Sequence, residues 1–506
     1  MSTPRRRRTA AVLAALLVAS APLRAQSVSP HLSRLLDGWY KRAQRTAHGR
    51  WGIAIADELG NVLWSRQPDQ PLIPASTAKI FTTGFARSRL GGEARIATRV
   101  LGTGFLDSAS GTWNGTWTLE LNGDPSLDDP AHAGPRLYDL AEQLHAAGIR
   151  RIEGPMLVSS EAGPATATFP AGWPARHRGA VFAPLIGTLT VHENIVTAWV
   201  APTRRSGHRP LLLNDAPAGV RSMIVNEAIT RTGRRSRLHL SARSNGWVLT
   251  GWIGTRAGMR QVKAVAYDPE RVLELAWRQA LHQAGVEWDE DPHTVLAPSD
   301  GRIRTLAEVF SPTLDTLAAD IDRRSLNLGA ELLLRWAAGP DAPADSLVEH
   351  VARVTGIGPE QFRLVDGSGL SDLDRVTPRL QVTYLARIPT FPATRAFPLL
   401  LPANGTGTLT RMRFGLPGAG VLRAKTGTLG NVAAIAGYLG RPDGVFIISM
   451  LYNGGRTAAA RQAQTRLFRL LGARGKVQPE DFDPPPDASP DSSAIAPDTS
   501  SILPAH

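Results

Sequence analysis

Apolar positions change their period several times along the chain. Leu32 to Ala47 spaces them as a helix does, at intervals of three and four. Trp51 to Ala56 and Val62 to Ser65 read as strands on either side of the turn Glu58-Leu59-Gly60-Asn61. Pro74-Ala75 leads into a helix from Ser76 to about Leu90, with Ile80, Phe81 and Phe85 on its apolar side. From Arg95 to Tyr267 the runs are short. Thr98 to Gly102, Thr116 to Leu121, Ile195 to Ala201 and Trp247 to Ile253 read as strands between Gly/Pro turns, interrupted by one helix, Pro135 to Ala147. Helical spacing returns at Pro269 and continues through Leu314 to Ile321 and Asn327 to Trp336. Val421 to Thr426, Val432 to Leu439 and Val445 to Tyr452 then predict three strands, the last two joined through Arg441-Pro442-Asp443-Gly444. An amphipathic helix, Thr457 to Leu471, follows.

Strands near both ends with helices between them predict one sheet built from both ends of the chain, within an α/β domain. The expected division is 26–95 and 269–477 for that domain, with 96–268 as a strand-rich insertion of one or two small modules. Beyond Gln478 the chain is rich in Pro, Asp and Ser and reads as disordered. Residues 1–25 read as an export signal: cationic Arg5 to Arg8, apolar Ala10 to Leu23, and Leu23-Arg24-Ala25 as a cleavage site before Gln26. The apolar run is short for a membrane span, so an uncleaved anchor is the lesser alternative. The expected location is therefore the periplasm or cell envelope, with no transmembrane segment after signal removal.

Composition refines this picture in two places. The formal charge is +13, and removing the five arginines of residues 1–25 brings it to +8. The remaining basic residues are scattered, with no zinc-finger or RNA-binding signature, so a nucleic-acid partner is not expected. Cysteine is absent, which excludes disulfides and thiolate chemistry. Lysine is scarce: Lys41, Lys79, Lys263, Lys425 and Lys476 are the only five among 57 basic side chains. A chain so biased toward arginine should keep lysine where an amine must lose its proton, which guanidinium does not do.

Two of the five stand in motifs with chemical meaning. In Ser76-Thr77-Ala78-Lys79, positions i and i+3 share a helix face, so hydroxyl and amine can meet. At a helix start the free N–H groups can also stabilise an oxyanion. Lys425-Thr426-Gly427-Thr428 combines a cation, two hydroxyls and a glycine at a strand edge, a set suited to capturing a carboxylate. Ser325-Leu326-Asn327 stands at a helix start. Taken singly, each has an ordinary reading: a capping serine with a solvated lysine, a strand-to-turn transition, a simple cap. Gly405-Thr406-Gly407-Thr408, which lacks the lysine, reads as an ordinary turn of similar composition.

In order, S-x-x-K, S-x-N and K-T-G resemble the motif set of penicillin-binding proteins and class A β-lactamases. Pro74 to Lys79, Gly123-Asp124-Pro125-Ser126-Leu127, Glu193-Asn194, Ser311-Pro312, Asn327 to Glu331, Asp366 to Ser371 and Lys425 to Leu429 narrow the resemblance. They are similar to the blocks of the class C low-molecular-mass penicillin-binding proteins, the D-alanyl-D-alanine carboxypeptidase/endopeptidases with a large insert. The similarity spans about residues 30 to 472. It implies a serine transpeptidase/β-lactamase-like catalytic domain, an antiparallel sheet flanked by helices, with a strand-rich insertion. It also implies hydrolysis of peptidoglycan stem peptides through an acyl-enzyme, with β-lactams as covalent inhibitors and no cofactor or metal.

The roles that follow from the resemblance are Ser76 as nucleophile, Lys79 as its base and Ser325 as proton relay to the leaving D-alanine. Asn327 would hold the substrate amide, and Lys425, Thr426 and Thr428 its terminal carboxylate. The backbone N–H groups of Ser76 and Thr428 would form the oxyanion hole. One departure is Asp372, where the family usually carries Arg after Gly-Leu-Ser. It would act on stem-peptide side-chain preference, or pair with nearby Arg375. The rivals are a β-lactamase or related serine esterase of the same fold, and a non-catalytic envelope-binding protein. The long insert argues against the β-lactamase, and no G-x-S-x-G elbow supports a general esterase. No H-E-x-x-H supports a metallohydrolase.

Overall fold

The computed structural model describes residues 28–129, 134–290, 301–341, 343–442, 444–472 and 475–483. The expected export signal and most of the tail beyond 478 lie outside the described residues. The part of the tail inside them, Pro479–Phe482, is a 3-10 turn, and Phe482 packs edge-on to Tyr438 at 5.0 Å.

The central sheet has five strands in the order Leu422–Leu429, Val432–Arg441, Gly444–Asn453, Arg50–Ala56, Val62–Arg66. Every pairing is antiparallel, and the first strand of the chain pairs with the last, Ile53 facing Met450. The expected joining of both chain ends in one sheet is therefore realised. Val432–Arg441 shows why the sheet is covered on both sides. Ala433, Ile435 and Leu439 enter one apolar core and Ala434, Ala436 and Tyr438 the other, as a strand with period two dictates. Helices Pro30–Thr46 and Thr457–Leu471 close the first face through Leu36, Trp39, Leu467 and Phe468. The second face carries the 3-10 turn Ala75–Ala78, helix Lys79–Leu90 and helix Pro378–Arg387, through Ile80, Phe81, Leu380 and Tyr384.

The middle region forms three further sheets. The largest takes in Ala97–Asp107, Thr112–Leu121, Arg151–Glu153 and Leu157–Ser159. It also takes in Glu287–Asp289 and Ile303–Phe310, which come from beyond the expected boundary at 268. Ala97 pairs with Phe310, and Ser311 N donates to Ile96 O at 2.9 Å. Helix Pro269–Ala284 packs on helix Leu137–Ala146 in the same apolar core, where Trp117 lies 6.4 Å from Trp277 and 5.4 Å from Trp288. The excursion therefore leaves after residue 96 and returns near 311, which corrects the boundary at 268. Helical spacing at Pro269 reads as the catalytic domain resuming, because pairing across 200 residues leaves no local mark on the sequence.

The region touches the catalytic part along the helix Asn327–Ala338. Trp173, Ala183 and Ile186 pack against Leu328, Leu332 and Leu370, and Arg335 Nη1 donates to Ile186 O at 3.2 Å.

Candidate active site

Ser76 sits within the 3-10 turn Ala75–Ala78, and the α-helix begins at Lys79 rather than at Ser76. Ala75 has a positive φ of 48°, a left-handed conformation unusual for alanine. Two backbones press on this turn. A Cβ at Gly369 would stand 2.0 Å from Ala75 O, and one at Gly427 would stand 2.5 Å from Pro74 O. Glycine at both positions lets a loop and a sheet edge close on the turn that carries Ser76.

Lys79 is fully buried, and its Nζ has three neighbours. It donates to Asn327 Oδ1 at 2.6 Å and Ser368 O at 2.6 Å, and lies 3.1 Å from Ser76 Oγ. Burial lowers its pKa to about 8 against the opposing pull of Asp366, Glu331, Asp322 and Asp374. Three of these carboxyls, Glu331, Asp322 and Asp374, are themselves pushed upward. Desolvation is the main cause for Glu331, Asp322 and Asp374, and Asp366 adds repulsion at Glu331 and Asp374. Beneath the lysine, Glu331 Oε1 accepts from Gly367 N at 3.1 Å and Ser368 N at 2.9 Å, which shapes the loop that presents Ser368 O.

Ser325 joins two helices, closing Leu314–Arg324 in a left-handed conformation (φ 59°) just before Asn327–Ala338 begins. That backbone turns the hydroxyl toward Lys425, whose Nζ donates to Ser325 Oγ and to Thr426 O, both at 2.9 Å. Lys425 is fully buried, and burial followed by repulsion from Lys79 depresses its pKa. Asp322 lies buried near both lysines and accepts from Thr83 Oγ1 at 3.1 Å. Asn327 reaches the insertion, its Nδ2 donating to Phe182 O at 2.8 Å while its Oδ1 serves Lys79.

The Lys425 motif lies within the edge strand Leu422–Leu429 rather than at its end. Thr426 Oγ1 donates to Thr408 Oγ1 at 2.8 Å. Exposed Thr428 accepts from Arg461 Nη2 at 2.6 Å, and the same nitrogen donates to Gly427 O at 2.9 Å. All seven residues singled out in the sequence thus stand in one place: Ser76 with Lys79 and Asn327, Ser325 with Lys425, and Thr426 and Thr428 along the adjoining strand. Sequence reasoning missed Thr408, Arg461 and Asp322. Thr408 belongs to the segment that reads as an ordinary turn, and nothing local distinguishes the other two from the many Arg and Asp of this chain.

The chain matches the family described as D-Ala-D-Ala carboxypeptidase 3 (S13) over residues 40–473. It belongs to that family. The activity class is accordingly that of a serine-type D-Ala-D-Ala carboxypeptidase. Among curated relatives, it is 26% identical over 451 residues to the D-alanyl-D-alanine carboxypeptidase of Actinomadura sp. (strain R39), covering 85% of this chain and 82% of the relative. To carboxypeptidase DacB of Mycolicibacterium smegmatis it is 29% identical over 435 residues, with coverage of 83% and 79%. Among solved structures, penicillin binding protein 4 (dacB) from Haemophilus influenzae superposes with a TM-score of 0.69 at 20% identity, over 85% of this chain and 98% of that one. The shared fold is the serine transpeptidase/β-lactamase-like one expected from the motifs.

Asp372 does not form the expected carboxylate pair with Arg375. Its carboxylate pairs with Arg176 of the insertion at 2.6 Å, while Arg375 donates to the Asp372 backbone carbonyl at 2.8 Å.

Proposed function

We propose that Ser76 carries the carboxypeptidase reaction on peptidoglycan stem peptides. The observation that supports this best is the pair of buried lysines, each with its nitrogen on a serine hydroxyl, Lys79 on Ser76 and Lys425 on Ser325. Neutral Lys79 takes the Ser76 proton as Oγ bonds to the carbonyl carbon of the penultimate D-alanine. The backbone N–H groups of Ser76 and Thr428 receive the developing oxyanion. When the C–N bond breaks, Ser325 delivers its hydroxyl proton to the departing amine and takes one from Lys425. The proton that Lys79 took from Ser76 passes on to Lys425, so that both amines end as they began. Lys425, Thr426 and Thr428 hold the terminal carboxylate by charge and hydroxyl hydrogen bonds. Asn327 aligns the substrate amide. Water then hydrolyses the acyl-enzyme ester and returns Ser76 to its free form.

A β-lactam presents a strained amide beside a carboxylate, so it enters by the same route and stays as an ester on Ser76. The export-signal pattern of residues 1–25 supports work outside the cytoplasm, in the periplasm or cell envelope. Among the described residues, no helix is long and apolar enough to cross a membrane. Mass mapping after reaction with a fluorescent penicillin tests the reading: label is expected on the peptide containing Ser76 and absent from Ser76→Ala. Label elsewhere, or undiminished label in a folded Ser76→Ala protein, would overturn it.

A further inference from the structure

A cleft of about 1090 Å³ opens beside Thr426 and Thr428, lined by seven arginines and by no Asp or Glu. Two of the seven, Arg323 and Arg324, are paired with Asp320, and Arg324 also with Asp129 and Glu193. The other five are Arg411, Arg413, Arg461, Arg466 and Arg469. Among the described residues none of these five pairs with a carboxylate: Arg469 donates to the backbone carbonyls of Phe414 and Arg413, and Arg461 to Gly427 O and Thr428 Oγ1. Arg461 is half-buried, and desolvation pushes its pKa downward. Arg411, Arg413, Arg466 and Arg469 are exposed, so four like charges gather with half-buried Arg461 around an open cleft and make it attractive to an anion.

The position of the cleft says which anion. Thr426 and Thr428 form part of its wall, and Arg461 touches Thr428, so it continues directly from the place proposed for the terminal carboxylate. A leaving residue that ends in that carboxylate fills only the Thr426/Thr428 end. A leaving residue that keeps this carboxylate and is extended from its side chain runs on into the cleft, where further carboxylates meet Arg411, Arg413 and Arg466.

We infer that this cleft is a leaving-side subsite that selects peptides whose departing half carries additional free carboxylates. The inference rests on the reading of Ser76 and the Lys425 motif given above. The bond chemistry is unchanged: Ser76 Oγ displaces the amine of the larger departing half, that amine takes the proton, and water cleaves the ester.

The test uses the full chain and three substrates with one acyl half. The departing half is D-alanine alone, a D-residue that keeps its own carboxylate and bears on its side chain a short peptide with two further free carboxylates, or the same side-chain extension with those two as carboxamides. The free-carboxylate form is expected to be preferred over the carboxamide form by about tenfold in kcat/KM at low salt, and less at high salt. Arg411→Gln/Arg413→Gln/Arg466→Gln should bring that ratio close to one, with penicillin labelling of Ser76 within about twofold of wild type. Arg466→Gln alone, an exposed change on helix Thr457–Leu471, should move the ratio part of the way if the triple variant does not fold. A wild-type ratio of one, or a ratio that the substitutions leave unchanged, overturns the inference. So does tight binding of inorganic polyphosphate without any preference among the peptides, which would make the cleft a dock for phosphate polymers. Loss of Ser76 labelling in the wild type would instead bring down the reading of the active site itself.

Discussion

Lys79 and Asn327, 248 residues apart in the chain, meet at 2.6 Å between Nζ and Oδ1. The Asn327 amide is held in this sense from both ends, because its Nδ2 donates to Phe182 O. Asn327 Oδ1 and Ser368 O can only accept, so together they take both hydrogens of a neutral amine. Its lone pair is then left for the Ser76 hydroxyl, 3.1 Å away. Lys79→Arg is accordingly expected to lose penicillin acylation as completely as Lys79→Ala, since guanidinium keeps the charge but is no base and is too large for this fully buried slot. Stopped-flow acylation rates check it. A near wild-type rate in the Arg variant would reduce Lys79 to a source of positive charge.

The pKa of about 8 at Lys79 sets a pH dependence. The unprotonated amine is the active form, so acylation should rise about tenfold per pH unit below that value and level off above it. Asp322 is one of the carboxylates that hold the lysine's proton on, and removing its charge acts in a known direction. Asp322→Asn should move the midpoint of the profile to lower pH, by about half a unit. A midpoint that moves upward or stays fixed would mean that Asp322 does not act on Lys79 through its charge.

Much of this was legible in the chain because it is local. Strand period, the Pro74-Ala75 entry to the helix, and hydroxyl and amine one helical turn apart are all short-range marks, and each element lies within a few residues of its expected place. What escaped is non-local. Ile303–Phe310 carries nothing that announces Ala97–Asp107 as its partner, so a strand lying beyond residue 268 that belongs to the same sheet leaves no local mark. Gly405 to Thr408 has the composition of an ordinary turn, yet a Cβ at Gly407 would stand 2.2 Å from Arg323 O, and this tight fit brings Thr408 to Thr426.

That contact gives a test of the strand edge. Thr408→Val keeps the shape and removes the hydroxyl that accepts from Thr426 Oγ1. With one hydrogen bond of about 1 kcal/mol lost, acylation efficiency toward penicillin should fall about fivefold, while Thr408→Ser stays near wild type. Equal rates in both variants would show that Thr426 is positioned by other means.

Ser325 separates backbone from hydroxyl. Its φ of 59° is easy for glycine and unfavourable for alanine. Ser325→Gly should therefore have a Tm at or above that of Ser325→Ala, while both lose release of the leaving D-alanine by about 100-fold or more. A Gly variant that retains turnover would remove Ser325 from the proton path and leave it a helix joint.

Arg176 and Asp372 bring the insertion and the catalytic part together at 2.6 Å, with side chains 59% and 41% exposed. A pair so open to solvent adds about 0.5 kcal/mol to stability, so its larger effect is on charge at the surface it occupies. Asp372 follows the Ser368 loop, and Arg176 lies a few residues before Phe182, which holds Asn327, so both stand on segments that frame the site. In wild type the two charges offset each other. Asp372→Arg places two guanidiniums there and should favour stem peptides with a free side-chain carboxylate over the amidated form, by about tenfold relative to wild type. Arg176→Ala leaves Asp372 uncompensated and should move the same ratio the other way. Competition between the free and amidated peptides reads both variants directly. Shifts in the same direction, or none in either, would place the pair outside the specificity surface and leave it a link between the two parts of the chain.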